Sequence, residues 1–155
     1  MRLALVQHGQ AKPQEADAQR PLTPQGRQDV QKVAAFLKPL RLGVAAVWHS
    51  GKTRAAQTAE ILAQAVAAER GVLQQDGLAP NDPVAPVAEM LSKTTADLMI
   101  VGHMPFMGKL AAALLTGDES AGLIAFQQGG VLCLQRGDDG RWQVAWMIVP
   151  ALLGS

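Results

Sequence analysis

The chain carries only three histidines, and each sits beside or within two residues of a glycine where an apolar run gives out: Gln7-His8-Gly9, His49-Ser50-Gly51 and Gly102-His103. Imidazole can act near neutral pH as nucleophile, general acid, general base or metal ligand. Lys52 and Arg54 follow closely behind His49, and Arg20 lies in a polar stretch after His8. These are the side chains able to hold an anion beside an imidazole. Each also has a purely structural reading. His8 and His103 taken singly could be hydrogen-bonded turn residues. His49, next to Trp48, could pack or cap; Arg54 could pair with Asp17 or Glu60; Arg20 could pair with Asp17; and Lys52 could be a surface side chain. No local metal-ligand spacing is present, such as two histidines four apart on a helix, so no metal is expected. The single cysteine, Cys133, rules out an internal disulfide and a thiolate-rich zinc site, and its apolar context reads as core.

The elements that must position these residues can be read from periodicity. Leu3–Val6 reads as a buried strand ending at Gln7. Thr23-Pro24 opens a helix, with Thr as cap and Pro in the first turn; Val30, Val33, Ala34 and Leu37 form its buried face, and Lys38-Pro39 stops it. Val44–Trp48 reads as a second strand, and a helix from about Lys52 runs on to near Gly71. Asn81-Asp82-Pro83 opens a helix to about Leu91; Leu98–Val101 is a strand; and a helix from Pro105 closes at Thr116-Gly117. Val131–Gln135 and Trp142–Val149 flank Gly137-Asp138-Asp139-Gly140, a hairpin composition. This alternation predicts an α/β chain whose mainly parallel sheet is covered on both faces and carries antiparallel strands at its C-terminal end.

That topology gathers the chemistry. Ligands of open α/β sheets bind at the carboxyl ends of the strands, where all three histidines are expected. Helices starting near Lys52 and Pro105 point their N-termini at the same edge, and backbone N–H groups there favour an anion. Arg54, in a first helical turn, opposes the helix dipole unless an anion sits between them.

Composition narrows the field. At 155 residues, 48% of them hydrophobic, the chain is expected to form one domain over 1–155. Only 17% of residues are charged and the net charge is +1, which excludes a nucleic-acid binder working through a broad basic surface. The apolar run at Met1–Val6 falls far short of the ~18 residues of a membrane span, so no membrane partner and a cytoplasmic location are expected.

Four stretches, in order, resemble the histidine phosphatase superfamily, and within it the SixA-like phosphohistidine phosphatases. The family's R-H-G is matched by Gln7-His8-Gly9. Its R-P-L-T-x-x-G is matched by Arg20-Pro21-Leu22-Thr23-Pro24-Gln25-Gly26, and its S-S-P-x-x-R-A-x-Q-T-A-E by His49 through Glu60. Its V-G-H-x-P is matched by Val101-Gly102-His103-Met104-Pro105. The resemblance covers residues 3 to about 116. It implies a three-layer α/β/α sandwich and a phosphoryl-transfer site needing no metal or organic cofactor. His8 would attack phosphorus and form a phosphohistidine, while His103 and Arg54 would surround the phosphoryl oxygens. Gln7, Gly9, Arg20, Ser50, Lys52 and His49 would contact substrate. The partner implied is a phosphohistidine-bearing protein or, alternatively, a small phosphate ester.

The departures matter too. Gln7 stands where the family has arginine, removing a charge and a forked donor; loss of a comparable donor costs about 10²–10³ in rate. A weakened or binding-only member is therefore the alternative. Gln10 replaces a residue often acidic, His49 replaces the first Ser of the motif, and Gly51 replaces its Pro. Lys52 or His49 is expected to offset the lost charge. Asp82 and Glu89 are the acid candidates, neither of them obvious. A leaving nitrogen takes its proton more readily than an alkoxide, which favours phosphohistidine, and the lack of a long insertion implies an open site suited to a protein substrate.

Overall fold

The first strand shows how the sheet is buried. In β1 (Arg2–Gln7) Leu3 and Leu5 face one hydrophobic cluster while Ala4 and Val6 face another. A strand apolar on both faces requires cover on both, and the helices supply it. The structure, a computed structural model, describes residues 1–154. The elements after β1 are α1 (Pro24–Leu37), β2 (Gly43–Val44), β3 (Ala46–His49), α2 (Thr53–Ala63), β4 (Ala67–Ala68) and β5 (Val72–Gln74). Then come α3 (Ala85–Ser92), β6 (Leu98–Gly102), α4 (Phe106–Thr116), β7 (Val131–Arg136) and β8 (Trp142–Ile148).

The main sheet runs β5-β3-β6-β1-β7-β8. Its first four strands are parallel, and β7 and β8 add antiparallel ladders. One face packs on α1 and α2 through Val30, Val33, Leu37, Ala59 and Leu62; the other packs on α3 and α4 through Leu91, Phe106, Met107 and Leu110. This is the expected α/β/α sandwich. The register places Gln7 beside Gly102 and His49 beside Val101, so β3, β6 and β1 end together at one edge. No helix is long and apolar enough to cross a membrane among the described residues.

Local expectations hold where caps and periodicity agree. The Thr23 hydroxyl accepts from Gly26 N–H at 2.9 Å, and Gly117 closes α4 in the left-handed region. They fail where pairing overrides propensity. The strand read as Val44–Trp48 divides: Gly43–Val44 pairs with Ala67–Ala68 in a separate ribbon, and Ala45 N–H turns to Asp97 O. The helix expected to reach Gly71 stops at Ala63. Ala67 and Ala68, strong helix formers, are recruited as strand, and β5 follows where no strand was read. The helix expected from Asn81-Asp82-Pro83 starts at Ala85, because the Asp82 carboxylate accepts from Ala79 N–H at 3.0 Å and closes a turn instead.

Candidate active site

His8 follows β1, and its N–H extends the ladder to Gly102 O at 2.9 Å. Its Nδ1 lies 2.6 Å from Gly9 O. A carbonyl can only accept, so Nδ1 carries the hydrogen and Nε2 keeps its lone pair. The ring is 7% exposed. Burial is the main force lowering its pKa from 6.5 to about 4; the Gly9 carbonyl opposes this, and the Arg54 and Arg20 charges reinforce it. His8 is thus neutral, with one nitrogen oriented and the other free to attack.

His103 follows β6, 1% exposed, with its ring centroid 5.0 Å from that of His8. Its Nε2 lies 2.6 Å from Ser50 Oγ, while its Nδ1 is buried without a hydrogen-bond partner. Burial, then the charges of His8, Arg54, Lys52 and Arg20, lower its pKa to about 3. Every charged group acting on these two histidines is a cation or another histidine.

The cations come from the start of α2 and from the loop before α1. Arg54 occupies the first turn of α2, its Nε buried and unpartnered; burial and Arg20 both pull its pKa down. Arg20 is held by its Nε donating to Lys12 O at 3.0 Å, on a backbone with φ +49°. Lys52 caps α2 through its backbone and is exposed. The one ion pair among the described residues is Lys93–Glu89, so the alternative in which Arg54 pairs with Asp17 or Glu60 and Arg20 with Asp17 does not occur. Two motif residues to which sequence reasoning gave no role supply the framework. Thr58 Oγ1 accepts from Gly9 N–H at 3.0 Å and donates to Arg54 O at 2.8 Å, tying the loop after His8 to α2. Gln57 Oε1 accepts from Leu22 N–H at 2.8 Å and anchors the segment that carries Arg20. Their signal was the i, i+3 and i, i+4 spacing from Arg54 on one helix.

Several expected contacts take other jobs. Gly9 offers no free donor at its own N–H, which Thr58 occupies; it is glycine because a Cβ would come within 2.8 Å of Val30. His49 Nδ1 accepts from Gly51 N–H at 3.0 Å, and burial lowers its pKa against the pull of Glu60. It braces the turn as a neutral ring and is no substitute cation, which leaves Lys52 for that part. Gly51 has φ +92°, forbidden to Pro, and a Cβ there would meet Gln74 at 2.5 Å. Gln10 accepts from the Thr23 hydroxyl at 2.7 Å, a structural contact. Gln7 ends β1 with its Oε1 buried and unpartnered. Neither acid candidate acts on the histidines: Asp82 closes its turn, and Glu89 faces Lys93 at 3.2 Å on the exposed side of α3. No group of three or more His, Cys, Asp or Glu able to hold a metal occurs among the described residues.

The arrangement suits a tetrahedral dianion. Three cations without counter-charge converge near two neutral imidazoles, and the unpartnered nitrogens Arg54 Nε and His103 Nδ1 belong to this edge.

Comparisons with known proteins bear on family and fold. Residues 3–79 match the model of the histidine phosphatase superfamily (branch 1). The chain is 36% identical over 126 residues to an uncharacterized protein of Picosynechococcus sp., covering 73% of this chain and 74% of the relative. It is 25% identical over 158 residues to the phosphohistidine phosphatase SixA of Escherichia coli, covering 99% and 96% respectively. In fold it is similar to the protein histidine phosphatase SixA complexed with tungstate, with a TM-score of 0.86 at 24% identity, covering 99% of this chain and 100% of that one.

Proposed function

The chain belongs to the histidine phosphatase superfamily, and from that membership we propose that it is a phosphatase of one domain, working in the cytoplasm, that removes the phosphoryl group of protein phosphohistidine. The observation that carries this reading is the pairing of a neutral, Nδ1-anchored His8 with three uncompensated cations and His103. His8 Nε2 attacks phosphorus; Arg54 and Arg20 bind oxygens; His103 donates its Nδ1–H to another. Positioning and positive charge are what phosphoryl transfer asks of a protein. The phosphohistidine intermediate then passes its phosphoryl group to water. The tungstate held by the SixA structure is a tetrahedral oxyanion of the shape this site would take.

The choice of phosphohistidine over a phosphomonoester rests on the absence of any carboxylate acting on the two histidines. An alkoxide leaving group needs a strong acid beside it, and a leaving imidazole needs less help. Gln7 supports a second reading, an oxyanion- or phosphohistidine-binding protein with little turnover. The test compares phosphate release from a phosphohistidine peptide and a phosphoserine peptide of the same sequence. A kcat/KM at least about tenfold higher for phosphohistidine is expected. Equal or reversed values contradict the substrate assignment, and release only after Gln7→Arg establishes the binding reading.

A further inference from the structure

We propose that Ser50 is a catalytic proton relay, passing a proton from His103 to the departing atom and later taking one from attacking water, in the place where a carboxylic acid is missing; this rests on the phosphatase reading above. The geometry begins with the hydrogen bonds of one hydroxyl. Ser50 Oγ lies 2.6 Å from His103 Nε2 and accepts from Lys52 N–H at 3.3 Å. The hydroxyl has one hydrogen and two lone pairs, and Lys52 takes one lone pair. With neutral His103 presenting a bare Nε2, the hydrogen points inward to that nitrogen. With Nε2 protonated, the nitrogen donates to the second lone pair, and the hydroxyl hydrogen is released to point elsewhere.

A bound phosphoryl dianion drives that change. It offsets the charges of Arg54, Lys52 and Arg20 that, with His8 and burial, hold His103 neutral, and it gives buried Nδ1 an acceptor. In-line attack by His8 puts the departing atom on the side of phosphorus away from His8. His8 and His103 are buried, whereas Ser50 is half-buried, so its hydroxyl joins the deeper ring to the more open side of the cluster. Thr58, the buried hydroxyl of α2, donates to Arg54 O and accepts from Gly9 N–H.

In the first half-reaction the His8 Nε2 lone pair forms the N–P bond as the P–N bond to substrate breaks. The departing nitrogen takes the Ser50 hydrogen, and Ser50 takes the one on His103 Nε2, leaving that ring neutral. In the second, water forms the O–P bond as His8 Nε2–P breaks and its electron pair returns to His8. The water proton passes to Ser50, and the Ser50 proton passes to His103.

The experiment measures phosphoenzyme formation by rapid quench from two probes, N-phosphoimidazole and N-methyl-N′-phosphoimidazolium, at a pH where the first ring is uncharged. The first leaves as an imidazolide unless a proton arrives; the second leaves as neutral N-methylimidazole and needs none. Ser50→Ala is expected to slow the reaction with the first probe about 10² more than with the second, the usual weight of a general acid. Ser50→Thr, which keeps the hydroxyl, restores most of that ratio. Equal slowing of both probes by Ser50→Ala overturns the relay and leaves Ser50 as a positioning residue in a working phosphatase. No phosphoenzyme from wild-type protein with either probe overturns the phosphatase reading itself, and the relay with it.

Discussion

Arg136 and Arg54 lie at opposite ends of the same sheet, and their guanidinium groups are treated in opposite ways. Arg136, ending antiparallel β7, donates to Leu91 O at 2.7 Å and to Thr94 O, and stacks over Trp142 at 5.3 Å. Nearby, Arg2 N–H is held by Asp97 at 2.7 Å. There the Arg136 cation is seated on two carbonyls and an aromatic face. At the other edge Arg54 keeps Nε buried without a partner, with Arg20 and Lys52 as neighbours instead of carboxylates. A buried donor left unpaired costs about 1–3 kcal/mol, so it persists where something outside the chain completes it. One guanidinium holds the fold together, while the other is held in readiness by it.

The sharpest way to break the comparison is to delete each arginine. Arg54→Ala is expected to lower kcat/KM by about 10²–10³ and leave the melting temperature unchanged or raised. Arg136→Ala should do the reverse, losing about 1.5–3 kcal/mol in urea unfolding with kcat/KM unchanged. A stability loss in the first or an activity loss in the second removes the distinction. Next in size is the replacement of the charge missing at Gln7. Lys52→Ala should cost roughly tenfold in kcat/KM at low salt, less as salt screens an exposed ammonium, whereas His49→Ala should loosen the Gly51 turn and leave the salt dependence as it is. No change with Lys52→Ala would leave position 7 uncompensated.

The smallest effect is in pH. The folded pKa values of His8 and His103 lie below the unfolded value of 6.5, at about 4 and about 3. Between these limits the unfolded chain binds more protons, so stability is greatest above 6.5 and falls as pH drops through 4 toward 3. A dianion restores the proton on His103 and opposes that fall. Sulfate should therefore raise the melting temperature more at pH 5 than at pH 7.5, and this difference should vanish in Arg54→Ala and survive in Arg136→Ala.

The site was legible in the sequence because its chemistry sits at strand ends, where an apolar run stops at a histidine beside a glycine. The order of His8, Arg54 and His103 could be read without coordinates. What stayed hidden was set by partners distant in the chain. Whether Ala67–Ala68 is helix or strand depends on Gly43–Val44, which pairs with it. Whether His49 is a cation or a brace depends on Gly51 N–H, and whether Gly9 N–H is free depends on Thr58. Composition fixes which groups could bind a phosphoryl oxygen; packing decides which of them are already taken.

The central claim is that His8 Nε2 is the nucleophile. The direct measurement is to mix the protein with a phosphohistidine peptide, quench in alkali, and map phosphate by mass spectrometry. Acid-labile phosphate on His8, absent from His8→Ala and accumulating and decaying with turnover, is the predicted result. Phosphate release without phosphate on His8, or release that survives His8→Ala, would contradict the account.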